Sequence, residues 1–295
     1  MGLDRCGVER IGVIGAGQMG GGIAQVAAQR GFRVFLFDTS PKALDLALAR
    51  MTAQLERGVK KGKWDEIHAK ETSERIVKAC ELEDLKDCDF VIEAAKEDVG
   101  VKCDLFHRLD ALLPPKAILT SNTSSISITR IGAATKRASR VAGMHFMNPV
   151  PVMPLVEGIR GLETSGEVFS VVEELAKAMG KTFIEALDRP GFVVNRILMP
   201  MINEACFALQ EGLASAEHID RAMKGGCNLP MGPLELADFI GLDTCLAIMG
   251  VIFEGLGESK YRPCPLLKQY VTAGRLGRKV GRGIYRYDED LKKMG

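Results

Sequence analysis

Short apolar runs alternate with longer helical patterns in the N-terminal part of this chain. Residues 11–38 read IGVIGAGQMGGGIAQVAAQRGFRVFLFD. The apolar runs at 11–14 and 34–37 predict two strands, and the small residues between them predict a helix that begins after a glycine-rich turn. The second run ends at an acid, Asp38. A strand, a glycine turn, a helix, a strand and an acid in this order predict a dinucleotide-binding unit.

Further strands are expected up to residue 187. Residues 41–78 are polar and rich in Lys, Glu and Ala, which predicts helix with breaks near Gly58 and Gly62. Short apolar runs at 90–93, 117–120 and 140–145, separated by helical or turn segments, predict a mostly parallel sheet. Two more strands are expected at 155–156 and 182–185, on either side of a helix over 165–179, and the sheet should end near Leu187.

The glycine spacing carries a specific chemistry. Gly15 lets the chain turn sharply out of the first strand, Gly17 lets backbone approach a pyrophosphate, and Gly20 lets the helix pack closely on the sheet. The N-terminus of the helix then receives the phosphates. Asp38 stands where a carboxylate accepts hydrogen bonds from the adenosine ribose, so the motif favours NAD over NADP.

The pattern changes after the sequence DRPG at 188–191. Helical periodicity then places on one face Ile197, Leu198, Met201, Ile202 and Ala205. No strand is expected before the C-terminal tail, and internal repeats and low-complexity tracts are absent from the sequence. We therefore predict an α/β Rossmann-type, doubly wound, mostly parallel sheet in an NAD-binding domain, residues 1–187, followed by an all-α C-terminal domain, residues 188–295.

Composition and charge exclude several classes of function. A chain of 295 residues, 46% hydrophobic and 26% charged, is long enough for two ordinary globular domains. A net charge of +1 argues against nucleic acid or an anionic membrane surface as a partner. Asn195, Arg196, Asn203 and Glu204 interrupt the apolar stretch at 192–209, so no membrane span is expected.

The cysteines predict a reducing compartment. They lie at positions 6, 80, 88, 103, 206, 227, 245 and 264, without a C-x-x-C pair or a histidine beside them at metal-ligand spacing. Buried free thiols are therefore expected, and no metal is. The start MGLDRCGVER lacks the apolar core of a secretory signal, and Cys6 stands where a myristoylation signal needs Ser or Thr. The expected location is the cytoplasm.

A nicotinamide enzyme that oxidises an alcohol needs a base, usually histidine, and this chain has four. For His68, His107 and His218, in charged or helical segments, solvated or packing roles are expected. His145 ends the predicted strand RVAGMH at the carboxyl edge of the sheet, where doubly wound folds bind ligands. If the prolines that follow fold a tight excursion between neighbouring strands, Glu157 would accept a hydrogen bond from its ring. Taken by themselves, His145 and Glu157 also fit a structural role. The presence of the nucleotide-binding motif favours a catalytic role, with His145 as the base and Glu157 as the carboxylate that orients it.

A polar cluster follows the predicted strand AILT. The segment SNTSSISIT places at this carboxyl edge Ser121, Asn122, Thr123, Ser124 and Ser125. A hydroxyl here would bind substrate, or the segment would form a helix N-cap or a serine turn. A nucleophilic serine is not favoured, because the glycines of G-x-S-x-G are missing. Asn195, near the start of the helix GFVVNRILMPMINEA, would face a cleft between the domains, or would cap or pack.

The motifs GAGQMGGGIAQ, SNTSSISIT, HFMNPVPVMPLVE and PGFVVNR resemble the L-3-hydroxyacyl-CoA dehydrogenase family, particularly its short-chain 3-hydroxybutyryl-CoA members. The likeness extends to AMKGGCNLPMGPLELADFIGLD and to the tail LGRKVGRGIYRY, so it covers nearly the whole chain. It implies a catalytic set of His145, Glu157, Ser124 and Asn195, with Asn148 also binding substrate. It implies NAD as the cofactor, bound by Gly15, Gly17, Gln18, Met19, Gly20, Asp38, Glu97, Lys102 and Asn122. It also implies a homodimer through the helical domain.

Two features of the sequence leave alternatives open. Lys96 stands beside Glu97 where the family is expected to have an apolar residue, and it would either perturb the nicotinamide-side loop or point to solvent. Coenzyme A carries a 3′-phosphate and a pyrophosphate, which call for lysine or arginine. The local candidates are Arg57, Lys60, Lys61 and Lys63. Lys61 is favoured to bind the acyl-CoA substrate, and the alternative is a solvated charged turn.

These implications lead to one expected reaction and two rivals. The expected reaction is the NAD-dependent, reversible oxidation of (S)-3-hydroxyacyl-CoA, and of 3-hydroxybutyryl-CoA in particular, to the 3-oxoacyl-CoA. One rival is a dehydrogenase of sugar acids such as gulonate on the same fold, which would act without a thioester. The other is a non-catalytic NAD-binding protein like some lens crystallins.

Overall fold

The computed structural model describes residues 7–294, and the chain divides into two compact units between Arg189 and Pro190. The boundary predicted from the sequence is residue 187. Cys6 and the N-terminal start, on which the predictions about a leader and a lipid anchor depend, lie outside the described residues.

The first unit alternates strands and helices around one sheet. The strands are β1 (Arg10–Ile14), β2 (Arg33–Phe37), β3 (Ile76–Ala79), β4 (Phe90–Glu93), β5 (Ile118–Ser121), β6 (Val141–Phe146), β7 (Leu155–Arg160) and β8 (Thr182–Leu187). The helices are α1 (Gln18–Gln29), α2 (Pro41–Lys60), α3 (Glu66–Glu74), α4 (Val99–Leu112), α5 (Ile128–Gly132) and α6 (Gly166–Ala178). The predicted Rossmann-type α/β fold is confirmed.

The strand order is β3-β2-β1-β4-β5-β6-β7-β8. Strands β1 to β6 run parallel to one another, whereas β7 is antiparallel to β6 and parallel to β8. The C-terminal ends of the parallel strands therefore meet at one edge of the sheet. We call this edge, marked by Gly15, Asp38, Glu93, Ser121 and His145, the carboxyl edge. Because β7 is reversed, its first residues reach the same edge.

One strand was missed by the sequence analysis. The helix predicted over 41–78 was wrong at its end, because Ile76–Ala79 forms β3 and pairs in parallel with β2, Val34 opposite Ile76. A four-residue strand inside a Lys- and Glu-rich stretch has too few positions for its alternation to stand out. Strand β7 is also longer than the predicted 155–156.

The predicted helix break falls at residues 61–65, between α2 and α3. Gly58 is part of α2, and a Cβ there would lie 2.2 Å from ring atoms of Trp64. The indole also donates a hydrogen bond to the Leu55 carbonyl at 3.0 Å. Gly58 is thus required for the packing of Trp64, and the chain turns at Gly62, which has a φ of +65°.

The second unit is helical, as predicted. Its helices are α7 (Val194–Gln210), α8 (Ala216–Cys227), α9 (Pro233–Ile240), α10 (Leu242–Leu256) and α11 (Pro265–Thr272), which share one apolar core. Two buried carboxylates tie the C-terminal tail to this core. Asp220 accepts from the Tyr285 hydroxyl at 2.8 Å, and Asp238 accepts from the amides of Ile284 and Tyr285. Burial raises the pKa of Asp238 despite these hydrogen bonds.

Membrane spans and metal sites were both considered from the sequence, and the structure bears on each within residues 7–294. Among them no single helix is long and apolar enough to cross a membrane, although α9 and α10, bent by 98°, pass the same test as a pair. The described residues include no group of three or more His, Cys, Asp or Glu side chains arranged to hold a metal ion.

Candidate functional site

The glycine turn after β1 has the geometry that a dinucleotide needs. Gly15 has a φ of +97°, and a Cβ there would lie 2.5 Å from the Ala94 carbonyl oxygen. A Cβ on Gly20 would lie 1.7 Å from the Gly15 carbonyl oxygen. A Cβ on Gly17 would meet no heavy atom within 4 Å. The protein's own packing thus requires glycine at 15 and 20, whereas at 17 the space is open to a ligand.

The start of α1 and the end of β2 complete this cradle. Gly17 is the N-cap of α1 and supplies no side chain, so the first turn of the helix presents its amides beside the open position. Gln18 is exposed there and Met19 is half-buried. Asp38 is half-buried and accepts hydrogen bonds from the amides of Ala16 at 2.7 Å and Ser40 at 2.8 Å. Each carboxylate oxygen keeps capacity for a ribose hydroxyl, so these residues fit NAD.

His145 and Glu157 form a buried pair at the carboxyl edge. They are directly opposite on β6 and β7, and the His145 Nδ1 lies 2.7 Å from the Glu157 Oε2. The imidazole is 7% exposed and the carboxylate is fully buried. The ionised carboxylate can only accept at this contact, so Nδ1 carries a proton and the lone pair of a neutral ring is on Nε2.

The serine segment folds around Glu97, which the structure places between β4 and α4. Its Oε1 accepts from the Thr123 hydroxyl at 2.6 Å and from the Ser125 amide and hydroxyl at 3.1 and 2.8 Å. Ser124 donates to the same oxygen, its amide at 2.9 Å and its hydroxyl at 3.3 Å. Burial opposes the charge of Glu97, but Lys102 and these hydrogen bonds outweigh it and lower the pKa. The alternative of a helix N-cap in this segment applies to Ser127, which caps α5.

Beneath Glu97 lies an ion pair that the sequence analysis did not single out. The Lys102 ammonium, 1% exposed, is 2.6 Å from the Glu93 Oε1 and 3.4 Å from the Glu97 Oε2. Glu93 is fully buried at the end of β4, and it also accepts from the Ala95 amide and the Ser121 hydroxyl. Glu93 thus joins three segments of the carboxyl edge. The feature of the sequence that could have pointed to Glu93 is an acid at the end of the otherwise apolar strand FVIE.

Asn122 and Asn148 belong to the segments that follow β5 and β6. The Asn122 side chain accepts from the Phe146 amide at 2.8 Å, which links the end of β5 to the end of β6. Asn148 is exposed in the loop 147–154 between β6 and β7. It lines a cavity of about 240 Å³ together with residues of the glycine turn, of α1 and of α2: Gly17, Gln18, Gly21, Gly22, Gln25, Ala47, Arg50, Met51, Gln54, Pro149, Val150 and Pro151.

The remaining candidates are exposed, or lie on helices away from the ends of the strands, or belong to the second unit. Lys61 is exposed at the end of α2, and Lys96 is exposed in the loop before α4. Asn195 is 8% exposed in the first turn of α7. His107 and His218 are exposed on helices, and His68 is half-buried on α3 beside Trp64. His145 is thus the histidine that the fold brings to the carboxyl edge.

A Rossmann-type sheet with this glycine turn and a buried histidine–carboxylate pair beside it defines an NAD-binding oxidoreductase. Comparison with known families narrows the class. The model described as 3-hydroxyacyl-CoA dehydrogenase, NAD binding domain, matches residues 10–189, and the model of the C-terminal domain of the same enzyme matches residues 191–287. The chain belongs to the 3-hydroxyacyl-CoA dehydrogenase family.

Individual relatives agree with this assignment. The probable 3-hydroxybutyryl-CoA dehydrogenase of Bacillus subtilis is 56% identical, over 96% of this chain and 98% of its own. The 3-hydroxybutyryl-CoA dehydrogenase of Bradyrhizobium diazoefficiens is 55% identical, over 95% and 96%. The crystal structure of (S)-3-hydroxybutyryl-CoA dehydrogenase from Ralstonia eutropha superposes with a TM-score of 0.93 at 50% identity, covering 96% of this chain and all of that one.

Proposed function

We propose that this protein catalyses the reversible, NAD-dependent oxidation of (S)-3-hydroxybutyryl-CoA to acetoacetyl-CoA. The observation that carries the proposal is the His145–Glu157 pair, which lies at the carboxyl edge that also holds the glycine turn and Asp38. The family and the names of its relatives supply the substrate class. These relatives do not favour the sugar-acid or crystallin-like alternatives.

His145 acts as the base in this proposal. Its Nε2 takes the proton of the substrate's C3 hydroxyl, and the adjacent Glu157 carboxylate stabilises the imidazolium that forms. NAD⁺, which the glycine turn and Asp38 would hold, would supply the acceptor for the hydride that leaves C3. In the reverse direction the imidazolium returns its proton to the oxygen of the forming alkoxide. Burial excludes water around the pair, so the interaction is stronger than the same contact in solvent.

Ser124 and Asn195 are proposed to position the substrate oxygen and thioester. The Ser124 hydroxyl makes the longest of the hydrogen bonds to Glu97, at 3.3 Å, while its amide keeps the loop in place. Rotation about χ1 therefore redirects the hydroxyl to a substrate without loss of the backbone contact. Asn195, buried in α7, binds the substrate as the family resemblance implies.

The phosphate-bearing part of coenzyme A is proposed to lie along α2 as far as Lys61. Arg50 and Gln54 line the cavity beside Asn148, and Arg57 and Lys61 follow at helical spacing on the same face. From Arg50 to Lys61 the helix rises about 17 Å, a span that suits an extended ligand with its phosphates at the far end. Lys60, by contrast, lines a different groove between α2 and α3.

This placement is tested with paired lysine variants. Lys61→Ala is expected to raise the Kd of acetoacetyl-CoA several-fold at low salt, with a smaller effect at high salt because exposed charges are screened. Lys60→Ala is the matched control and should leave that Kd unchanged. Equal Kd values for wild type and Lys61→Ala at low salt contradict the assignment.

Two further proposals complete the functional description. We propose a homodimer through the helical second unit, as the family resemblance implies. We also propose a location in the cytoplasm, since the cysteines of residues 7–294 are free thiols. Sedimentation of the purified protein tests the first, and localisation of a tagged chain in cells tests the second.

The experiment that tests the reaction is NADH oxidation with acetoacetyl-CoA, run beside NADPH and beside acetoacetate without the CoA. We expect turnover with acetoacetyl-CoA and NADH, and none with NADPH or with free acetoacetate. Turnover of gulonate in the oxidative direction, or no turnover with any 3-oxoacyl-CoA, would reject the proposed function.

A further inference from the structure

Lys181 is a buried lysine whose ammonium contacts the loop that joins the two members of the His145–Glu157 pair. It lies between α6 and β8 and is 9% exposed. Its Nζ donates to the Val150 carbonyl oxygen and, at 2.8 Å, to the Met153 carbonyl oxygen. Both acceptors belong to the loop 147–154. The sequence KAMGKTF offers no signal for this role, because the residue looks like an ordinary surface lysine.

Burial of the Lys181 ammonium costs free energy, because a charge is removed from water. Within residues 7–294 no carboxylate oxygen lies within 4.0 Å of the Lys181 Nζ, so neutral carbonyls alone compensate the buried charge. Burial, and after it the positive charge of Arg30, lowers the pKa of the ammonium. A neutral side chain would avoid this cost, but it would leave two carbonyl oxygens of the loop without a common donor.

The loop that Lys181 holds forms one wall of the cavity beside Asn148. The amides of Val152 and Met153 both donate to the Pro149 carbonyl, which closes a turn. The Val150 side chain is buried against α1, where a Cβ on Gly22 would approach the Val150 Cβ to 2.9 Å. The loop is therefore held from two sides, by apolar packing at Val150 and by the ammonium at its backbone.

We propose that Lys181 is a positioning residue for the acyl-CoA site, which acts by holding the loop 147–154 in the conformation that places Asn148 and the adjoining ends of β6 and β7, which carry His145 and Glu157. The link to the substrate rests on the proposed function, whereas the hold on the loop does not. Because small displacements of positioning groups change rates strongly, the effect should appear in kcat/KM for the CoA ester.

The test compares Lys181→Met, which removes the donor, with Lys181→Arg, which keeps a charged donor of similar reach. Lys177→Met is the matched control, because Lys177 lies in the last turn of α6 and makes an exposed ion pair with Glu173. Amide hydrogen exchange of the peptide that covers 147–154 is measured without ligand. The Kd of NADH is measured by fluorescence, and kcat and KM with acetoacetyl-CoA.

For Lys181→Met we expect exchange at Val152 and Met153 at least about tenfold faster and kcat/KM lower by about ten- to a hundredfold. The Kd of NADH should change less than about twofold, since the glycine turn is not altered. Lys181→Arg should restore both the exchange and kcat/KM most of the way, and Lys177→Met should match wild type. Lys181→Leu, which also lacks a donor, takes the place of Lys181→Met if the latter does not fold.

Unchanged loop exchange in the neutral variant overturns the proposal. So does a rise in exchange spread evenly over the whole first unit, or a loss of NADH affinity as large as the loss of kcat/KM, because either marks a merely structural role. If the wild type does not turn over acetoacetyl-CoA, the proposed function fails, and the exchange measurement alone still decides whether Lys181 holds the loop.

Discussion

His145 and Glu157 are directly opposite each other on antiparallel strands β6 and β7, with Nδ1 and Oε2 2.7 Å apart. Opposite residues on neighbouring strands project to the same face of the sheet, so the strand register alone brings the two side chains together. The reversal of β7 in an otherwise parallel region is what creates this register. A parallel β7 would carry Glu157 away from the carboxyl edge.

Replacement of the base should remove most of the turnover without loss of cofactor binding. His145→Gln is expected to lower kcat on the order of a hundredfold or more, the contribution of a general base. The Kd of NADH, measured by fluorescence titration, should remain close to that of wild type. His107→Gln, an exposed histidine on α4, is the control. A near-wild-type rate for His145→Gln would reject the assignment.

Replacement of the partner carboxylate should slow turnover without loss of cofactor binding. The Glu157 carboxylate holds the His145 ring through the 2.7 Å contact between Oε2 and Nδ1, and it stabilises the imidazolium that forms during oxidation. Glu157→Gln keeps the size of the side chain but removes its negative charge, so kcat for 3-hydroxybutyryl-CoA oxidation should fall by about tenfold or more. The Kd of NADH should stay close to that of wild type. A wild-type kcat would show that the pair does not act as proposed.

Substitution of two glycines in the same turn should affect different properties, NAD binding in one case and stability of the fold in the other. Gly17→Ala meets open space at a φ of −68°, so the protein should fold normally and bind NAD at least about tenfold more weakly, about 1.4 kcal/mol. Gly20→Ala places a Cβ 1.7 Å from the Gly15 carbonyl oxygen and should destabilise the fold by about 3 kcal/mol. Thermal unfolding and NADH titration separate the two effects. A Gly17→Ala protein with wild-type affinity would contradict the pyrophosphate site.

The Glu97 cluster should stabilise the protein in a pH-dependent way. Glu97 has a lowered pKa, so its contribution is present above the ordinary value near 4.5 and is lost as pH falls toward the folded-state value. Glu97→Gln should therefore lower the melting temperature at pH 7, and the difference from wild type should shrink below about pH 4.5. Calorimetry at several pH values measures this. Glu163→Gln, at an exposed position, is the control. A difference that does not vary with pH would exclude the charge of Glu97 as its source.

Much of the fold was predictable because its signals are local. The run from β1 through the glycine turn to Asp38 combines hydrophobic runs with regularly spaced glycines, and the structure places each part where the sequence predicted it. The helical character of the C-terminal part was predicted from its hydrophobic period, and the second unit is helical. The strand β3 was missed because four residues in a charged stretch carry too little periodicity, and only pairing with β2 establishes it.

The sequence by itself determined the nucleotide-binding unit, the two-part organisation and the candidates His145, Glu157, Ser124 and Asn195. Glycine spacing and hydrophobic period are read from neighbouring residues, so they need no tertiary structure. Only the tertiary structure decided which charged residues are buried and what they contact. Lys181 looks like a surface residue in the sequence, and the Glu93–Lys102 ion pair cannot be read there, because burial of a charge depends on partners from other segments. Those partners meet only when the register of the sheet brings the carboxyl edge together.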